Sequence, residues 1–154
     1  MAAGTQPTLV VISGYFSPLH CGHLDMIEGG ASLGDELLVI VNNNAQQIMK
    51  KGKVILDEQD RLRIVSALRA VDHAMVAVDD DATVCRTLEL VAERHSDRRI
   101  IFGNGGDRDT SAAVPEAEVC ARHGIEMRFD VGGTTKRDSS SRLIEELGLA
   151  DDPA

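Results

Sequence analysis

The sequence predicts an α/β fold: one Rossmann-like domain on a doubly wound, five-stranded parallel sheet. Three observations predict it. Short, continuous apolar runs alternate with stretches of helical periodicity along the chain. Those runs lack the apolar–polar alternation of a half-exposed strand, so they read as strands covered on both faces. The 154 residues suit one domain with a sizeable core.

The elements follow in order. Leu9–Ser13 is the first apolar run, and a Gly- and Pro-marked turn, Gly14 to Leu19, succeeds it. A helix starts near His20 or Cys21, runs to about Leu33 and stops at Gly34. Glu36–Asn42 is the second strand. Residues 43–56 show neither period and read as a long lid or binding loop carrying Lys50, Lys51 and Lys53. Asp57 caps a helix whose stripe is Leu62, Ile64, Val65 and Leu68, ending near Ala70. Ala74–Val78 is the third strand. Asp79 to Asp81 supply the cap of a helix in which Val84, Leu88, Val91 and Ala92 recur at helical spacing. Arg99–Phe102 is the fourth strand, closed by Gly103-Asn-Gly-Gly106. Pro115 opens a helix that Gly124 ends. Ile125–Val131 is the fifth strand, 132–138 a loop, and Ser139 or Ser140 caps a last helix through Leu147. The domain is therefore expected over 9–148, with an extension at 1–8 and a tail at 149–154.

Composition narrows the function. Net charge is −9, from 16 basic and 25 acidic residues, which disfavours a general nucleic-acid binder. Aromatics are only 3% and Trp is absent, so base-stacking platforms are disfavoured too. No apolar run approaches the roughly 18 residues of a membrane span, and 1–8 lacks the basic and apolar regions of a signal peptide. Three cysteines without a C-x-x-C pair fit reduced thiols, and a cytoplasmic location is expected.

In a parallel sheet of this kind ligands bind at the carboxyl ends of the strands. There the first turn holds Gly14, Tyr15, Phe16, Ser17, His20, Cys21, Gly22 and His23. Two histidines three apart share a helix face at a helix start, where the dipole and open N–H groups attract anions. Gly22 lets a ligand approach the backbone, and Gly14 permits the tight turn. Zinc is a rival reading, but His20, Cys21 and His23 cannot all point one way from one helix turn. Lys53, nearest the next helix, is the lysine expected to neutralise phosphate charge. Arg61 and Arg63 read as solvated, or as partners of Asp57, Glu58 or Asp60. Asn104, Gly105, Gly106 and Asp107 are placed to read a base or ribose edge. Ser139, Ser140 and Ser141, with Lys136 and Arg137 just before them, form a second phosphate cradle. No Walker-type or Gly-x-Gly-x-x-Gly run is present in the required place.

On these residues the chain resembles the His-x-Gly-His nucleotidyltransferases, and most closely the cytidylyltransferase-like group of the glycerol-3-phosphate cytidylyltransferase type. His20-Cys-Gly-His23 matches the first signature, and Ser139-Ser-Ser141 resembles the second. Lys53 stands where the family has a loop lysine. Asp57–Arg61 with Arg69-Ala-Val-Asp72 resembles a middle segment that often lies at a dimer interface. Ser17 stands where the family often has Asp; the usual Arg-x-x-Gly before the second signature is not in register, and Arg108 stands near the position of a missing Trp.

The resemblance implies transfer of a nucleoside monophosphate from CTP, with Mg2+, to a phosphate or phosphonate oxygen of a small acceptor. Pyrophosphate leaves. His20, His23 and Lys53 are implied as catalytic; Gly14, Tyr15, Phe16, Gly22, Asn104–Asp107 and Ser139–Ser141 as nucleotide-binding; Ser17, Lys136 and Arg137 as acceptor- or phosphate-binding. The protein's metal ligands are unassigned. A homodimer is expected, and no nucleic acid or membrane partner. The alternatives are an ATP-dependent adenylyltransferase acting on a sugar phosphate or coenzyme precursor, and a catalytically silent nucleotide-binding module.

Overall fold

A computed structural model describes residues 6–104, 115–129 and 131. Five strands, β1 (Thr8–Gly14), β2 (Glu36–Val41), β3 (His73–Val76), β4 (Arg99–Gly103) and β5 (Glu126–Arg128), form one sheet in the order β3-β2-β1-β4-β5. All four pairings are parallel. The helices are α1 (Cys21–Ala31), α2 (Asn44–Lys51), α3 (Glu58–Ser66), α4 (Cys85–Arg94) and α5 (Ala117–His123).

Alternation along the strands explains the double winding. Leu9, Val11, Leu38, Ile40 and Phe102 face one way, onto Leu88 and Val91 of α4 and Val119 of α5. Val10, Ile12, Leu37, Val39 and Ile101 face the other, onto Ile27 of α1 and Val65 of α3. Both faces are covered, so every central strand residue is apolar, which is what made the runs continuous rather than alternating. The predicted α/β class is the observed one.

The order places the topological switch between β1 and β4: connections after β1 and β4 run to opposite faces. A crevice opens at that point beyond the carboxyl ends. β1 ends at Gly14, before the histidine turn, and β4 ends at Gly103, before Asn104.

Several boundaries moved. The expected loop at 43–56 contains α2, a helix with a reciprocal capping box between Asn43 and Gln46. Its inward residues are Gln46 and Gln47, while Ile48 and Met49 are half exposed, so the helix shows no apolar stripe. Gly52 ends it in the left-handed region, at φ 80°. α3 stops at Ser66 rather than near Ala70. The third strand begins and ends earlier than Ala74–Val78, and β5 is shorter than Ile125–Val131. Asp79 does cap α4, from a distance: its buried carboxylate accepts from the N–H groups of Arg86 and Thr87. Gly105, Gly106, Asp107, Arg108, Lys136, Arg137, Ser139, Ser140, Ser141 and the last helix lie outside the described residues, as do both expected terminal segments except 6–8.

Candidate active site

The site begins with a reversal of the chain. Phe16 takes a left-handed backbone, φ 52°, uncommon for a bulky residue and characteristic of functional turns. The turn folds the Phe16 ring back over Gly14; a Cβ there would lie 2.8 Å from the ring. Only glycine leaves that space open. The buried ring meets the His23 ring edge-on, with centroids 4.9 Å apart. Phe16 therefore supports His23 from behind.

His20 and His23 cap α1 reciprocally. His20 is the N-cap, its Nδ1 accepting from the Gly22 N–H at 3.0 Å. His23 is the third helical residue, its Nδ1 accepting from the His20 N–H at 3.2 Å. Capping boxes ordinarily use a hydroxyl and a carboxamide or carboxylate. With both Nδ1 atoms accepting, the proton of each neutral ring belongs on Nε2. The rings stack with centroids 3.9 Å apart.

The local field holds His23 neutral. Its pKa is pushed down to about 3, first by burial and then by His20, Lys51 and Lys50. Every one of those causes acts in the same direction. His23 therefore offers an uncharged N–H donor beside His20, Lys50 and Lys51, an arrangement suited to a polyanion.

The lysines come from α2. Lys50 and Lys51 are those whose charge acts on His23, and the Lys50 ammonium lies 4.5 Å from the centroid of the Tyr15 ring. The Lys51 pKa is lowered by burial and by Lys50. Lys53 lies past the Gly52 cap and is half-buried. Ser17 is fully buried and its hydroxyl donates to Gln47 Oε1 at 2.6 Å. Asn104 lies at the end of β4, buried, its backbone held by Arg128 and Val131; among the described residues its side-chain amide nitrogen has no acceptor. Gly14, Tyr15, Phe16, Gly22, His20 and His23 are thus gathered at the carboxyl end of β1, with Asn104 ending β4 beside it.

Arg61 is fully buried rather than solvated; burial lowers its pKa, and the Glu58 and Asp57 charges act the other way. Its Nε donates to the Leu56 carbonyl at 2.8 Å, Nη1 to the carbonyls of Tyr15 and Asn42, and Nη2 to Asn44 Oδ1 at 3.1 Å. Its position at the inward face of α3, in line with Val65, was the available signal. Among the described residues no group of three metal-ligating side chains occurs, which gives the zinc reading no site there.

A parallel sheet with a phosphate-receptive turn at its switch point defines a nucleotide-handling α/β protein. The chain belongs to the cytidylyltransferase-like family, whose model matches residues 11–146, and so to the nucleotidyltransferase superfamily. A FAD synthase of Halobacterium salinarum is 29% identical over 150 residues, spanning 94% of this chain and 99% of its own length. A FAD synthase of Methanosphaerula palustris is 38% identical over 140 residues, 90% of this chain and 86% of that one. The crystal structure of the lipopolysaccharide core biosynthesis protein from Thermoplasma volcanium superposes with a TM-score of 0.63 at 27% identity, over 86% of this chain and 99% of that one.

Proposed function

We propose that the protein transfers an adenylyl group from ATP to the phosphate of a small acceptor, with FMN as the leading acceptor. The observation that carries nucleotidyl transfer is the stacked His20–His23 pair with both Nδ1 atoms consumed by the cap. The relatives named FAD synthase support ATP over the CTP expected from the resemblance. FAD is the anhydride of FMN and AMP, so a FAD synthase of this superfamily joins an adenylyl group to the FMN phosphate.

A phosphate oxygen of the acceptor attacks the α-phosphorus of ATP. The bond from that phosphorus to the bridging oxygen breaks, and pyrophosphate leaves in line. The Nε2–H groups of His20 and His23 donate to oxygens that gain charge in the transition state. Lys50, Lys51 and Lys53 balance leaving-group charge. Asn104 directs its amide toward base or ribose, with Gly105, Gly106 and Asp107 beyond it. Ser139, Ser140 and Ser141, with Lys136 and Arg137, complete the cradle for the β- and γ-phosphates. Magnesium would enter bound to the triphosphate, whose oxygens are its customary ligands together with one or two carboxylates. A homodimer and a cytoplasmic location remain part of this proposal; among the described residues no helix is long and apolar enough to cross a membrane.

Pyrophosphate release, measured with ATP and CTP against FMN and a sugar 1-phosphate, tests this. ATP with FMN is expected to give the fastest turnover. Faster turnover with CTP returns the cytidylyl reading. A sugar phosphate outpacing FMN transfers the acceptor assignment to the class suggested by the lipopolysaccharide-related structure. Tight ATP binding with no turnover on any acceptor identifies a silent binding module.

A further inference from the structure

We propose that Arg61 is a positioning residue for this transfer: one buried guanidinium ties the histidine turn to the lysine helix, so both halves of the polyphosphate grip move as one body. The inference rests on the nucleotidyl-transfer reading.

The geometry supports it in three steps. First, the acceptors of Arg61 come from separate segments. Tyr15 belongs to the turn that leads to His20 and His23, and Asn42 to the carboxyl end of β2. Asn44 is the first residue of α2, the helix bearing Lys50 and Lys51, and Leu56 closes the loop after it. Second, these four acceptors are neutral, and three are backbone carbonyls. A planar fork can meet them at once, whereas a lysine ammonium, with three donors on one atom, cannot span them. Third, a second buried bond, Ser17 Oγ to Gln47 Oε1, crosses the same gap between turn and α2. A surface arginine serving only solubility needs none of this. A misplacement of about 1 Å at a reacting centre can cost about 100-fold in rate.

The experiment compares Arg61→Lys and Arg61→Ala with the parent chain in two readouts: steady-state adenylyl transfer, and titration of the His23 ring followed by NMR. Arg61→Lys is expected to lower kcat about 100-fold, with a smaller change in KM for ATP, because the histidines act most on transition-state charge. Added methylguanidinium is expected to restore part of the kcat of Arg61→Ala but not of Arg61→Lys. The His23 titration is expected to rise from about 3 toward 6.5 as the turn loosens and the ring meets water. Folded Arg61→Lys with parental kcat and an unmoved His23 overturns the proposal. So does loss of the native fold in both variants, which would make Arg61 a stability residue alone. If the parent chain transfers no nucleotide, the functional reading falls, while the His23 titration still decides whether Arg61 holds the turn.

Discussion

His23 and His73 stand at opposite ends of one sheet and answer to opposite fields. At the carboxyl end His23 is buried beside a second imidazole and two lysines, and burial first, then these neighbours, disfavour its charged form. At the amino end His73 is exposed and meets Glu36 Oε2 at 2.7 Å, a contact that lowers the Glu36 pKa. Arg98 shares that carboxylate at 2.6 Å, and Arg99 pairs with Glu126. Charges at the amino end neutralise one another within the chain. At the carboxyl end Lys50, Lys51 and His20 all act on His23 in one direction, against its charged form. The same residue type meets a carboxylate below the sheet and a second imidazole with two lysines above it.

The comparison breaks most sharply under truncation. His23→Ala is expected to reduce turnover by about 100- to 1000-fold, the cost of losing a preorganised donor to developing charge, while far-ultraviolet dichroism stays native. His73→Ala is expected to leave pyrophosphate release unchanged. Equal losses in the two variants would erase the distinction between the ends of the sheet.

The next largest effect is on stability against pH. The His23 pKa in the folded chain, about 3, lies below the ordinary 6.5 of the unfolded one. Between those values the unfolded chain binds the extra proton. Stability from this site is therefore full above about 6.5 and falls as the pH drops toward 3, by at most about 1.4 kcal/mol per unit. His23→Gln keeps a capping acceptor and removes the proton site, so its urea midpoint should decline less steeply across that window. A parallel decline would assign the acid sensitivity elsewhere.

What was legible follows from this physics. The strands could be read because both faces of the sheet are covered, which leaves runs such as Leu37–Val41 wholly apolar. The histidine pair could be read because its spacing and its place after a buried strand coincide. α2 could not be read by periodicity, since glutamines, not aliphatics, face inward. Its capping pair, Asn43 and Gln46, and the stop at Gly52 were the signals available. Arg61 and Arg63 look alike in sequence, yet one is fully buried and the other exposed; only the fate of the Tyr15, Asn42 and Leu56 carbonyls separates them. Base preference was the least legible property, because it turns on hydrogen bonds near Asn104 rather than on residue type.

Ser17→Ala comes next and isolates one strut of the upper end. The substitution removes the buried bond to Gln47 Oε1, which still accepts from the Ile55 N–H at 3.1 Å. No acceptor is left bare, so the cost should be close to one ordinary hydrogen bond, about 1 kcal/mol by urea denaturation. A loss of several kcal/mol would mean that removing this bond also loosens the Arg61 tie between the turn and α2.

The smallest effect belongs to the lower end. Glu36→Gln removes the carboxylate that His73 and Arg98 share, but this group is solvated and long side chains gain little from pairing there. Because Glu36 titrates below its ordinary value in the folded chain, its contribution is present at neutral pH and fades as the medium turns acid. At pH 7 the variant should melt slightly earlier than the parent, the gap should close as the pH falls through the folded Glu36 titration, and turnover should be the same. A turnover defect would show that charge at the amino end is felt at the carboxyl end. The sheet would then couple its two poles, and the separation between His23 and His73 would not hold.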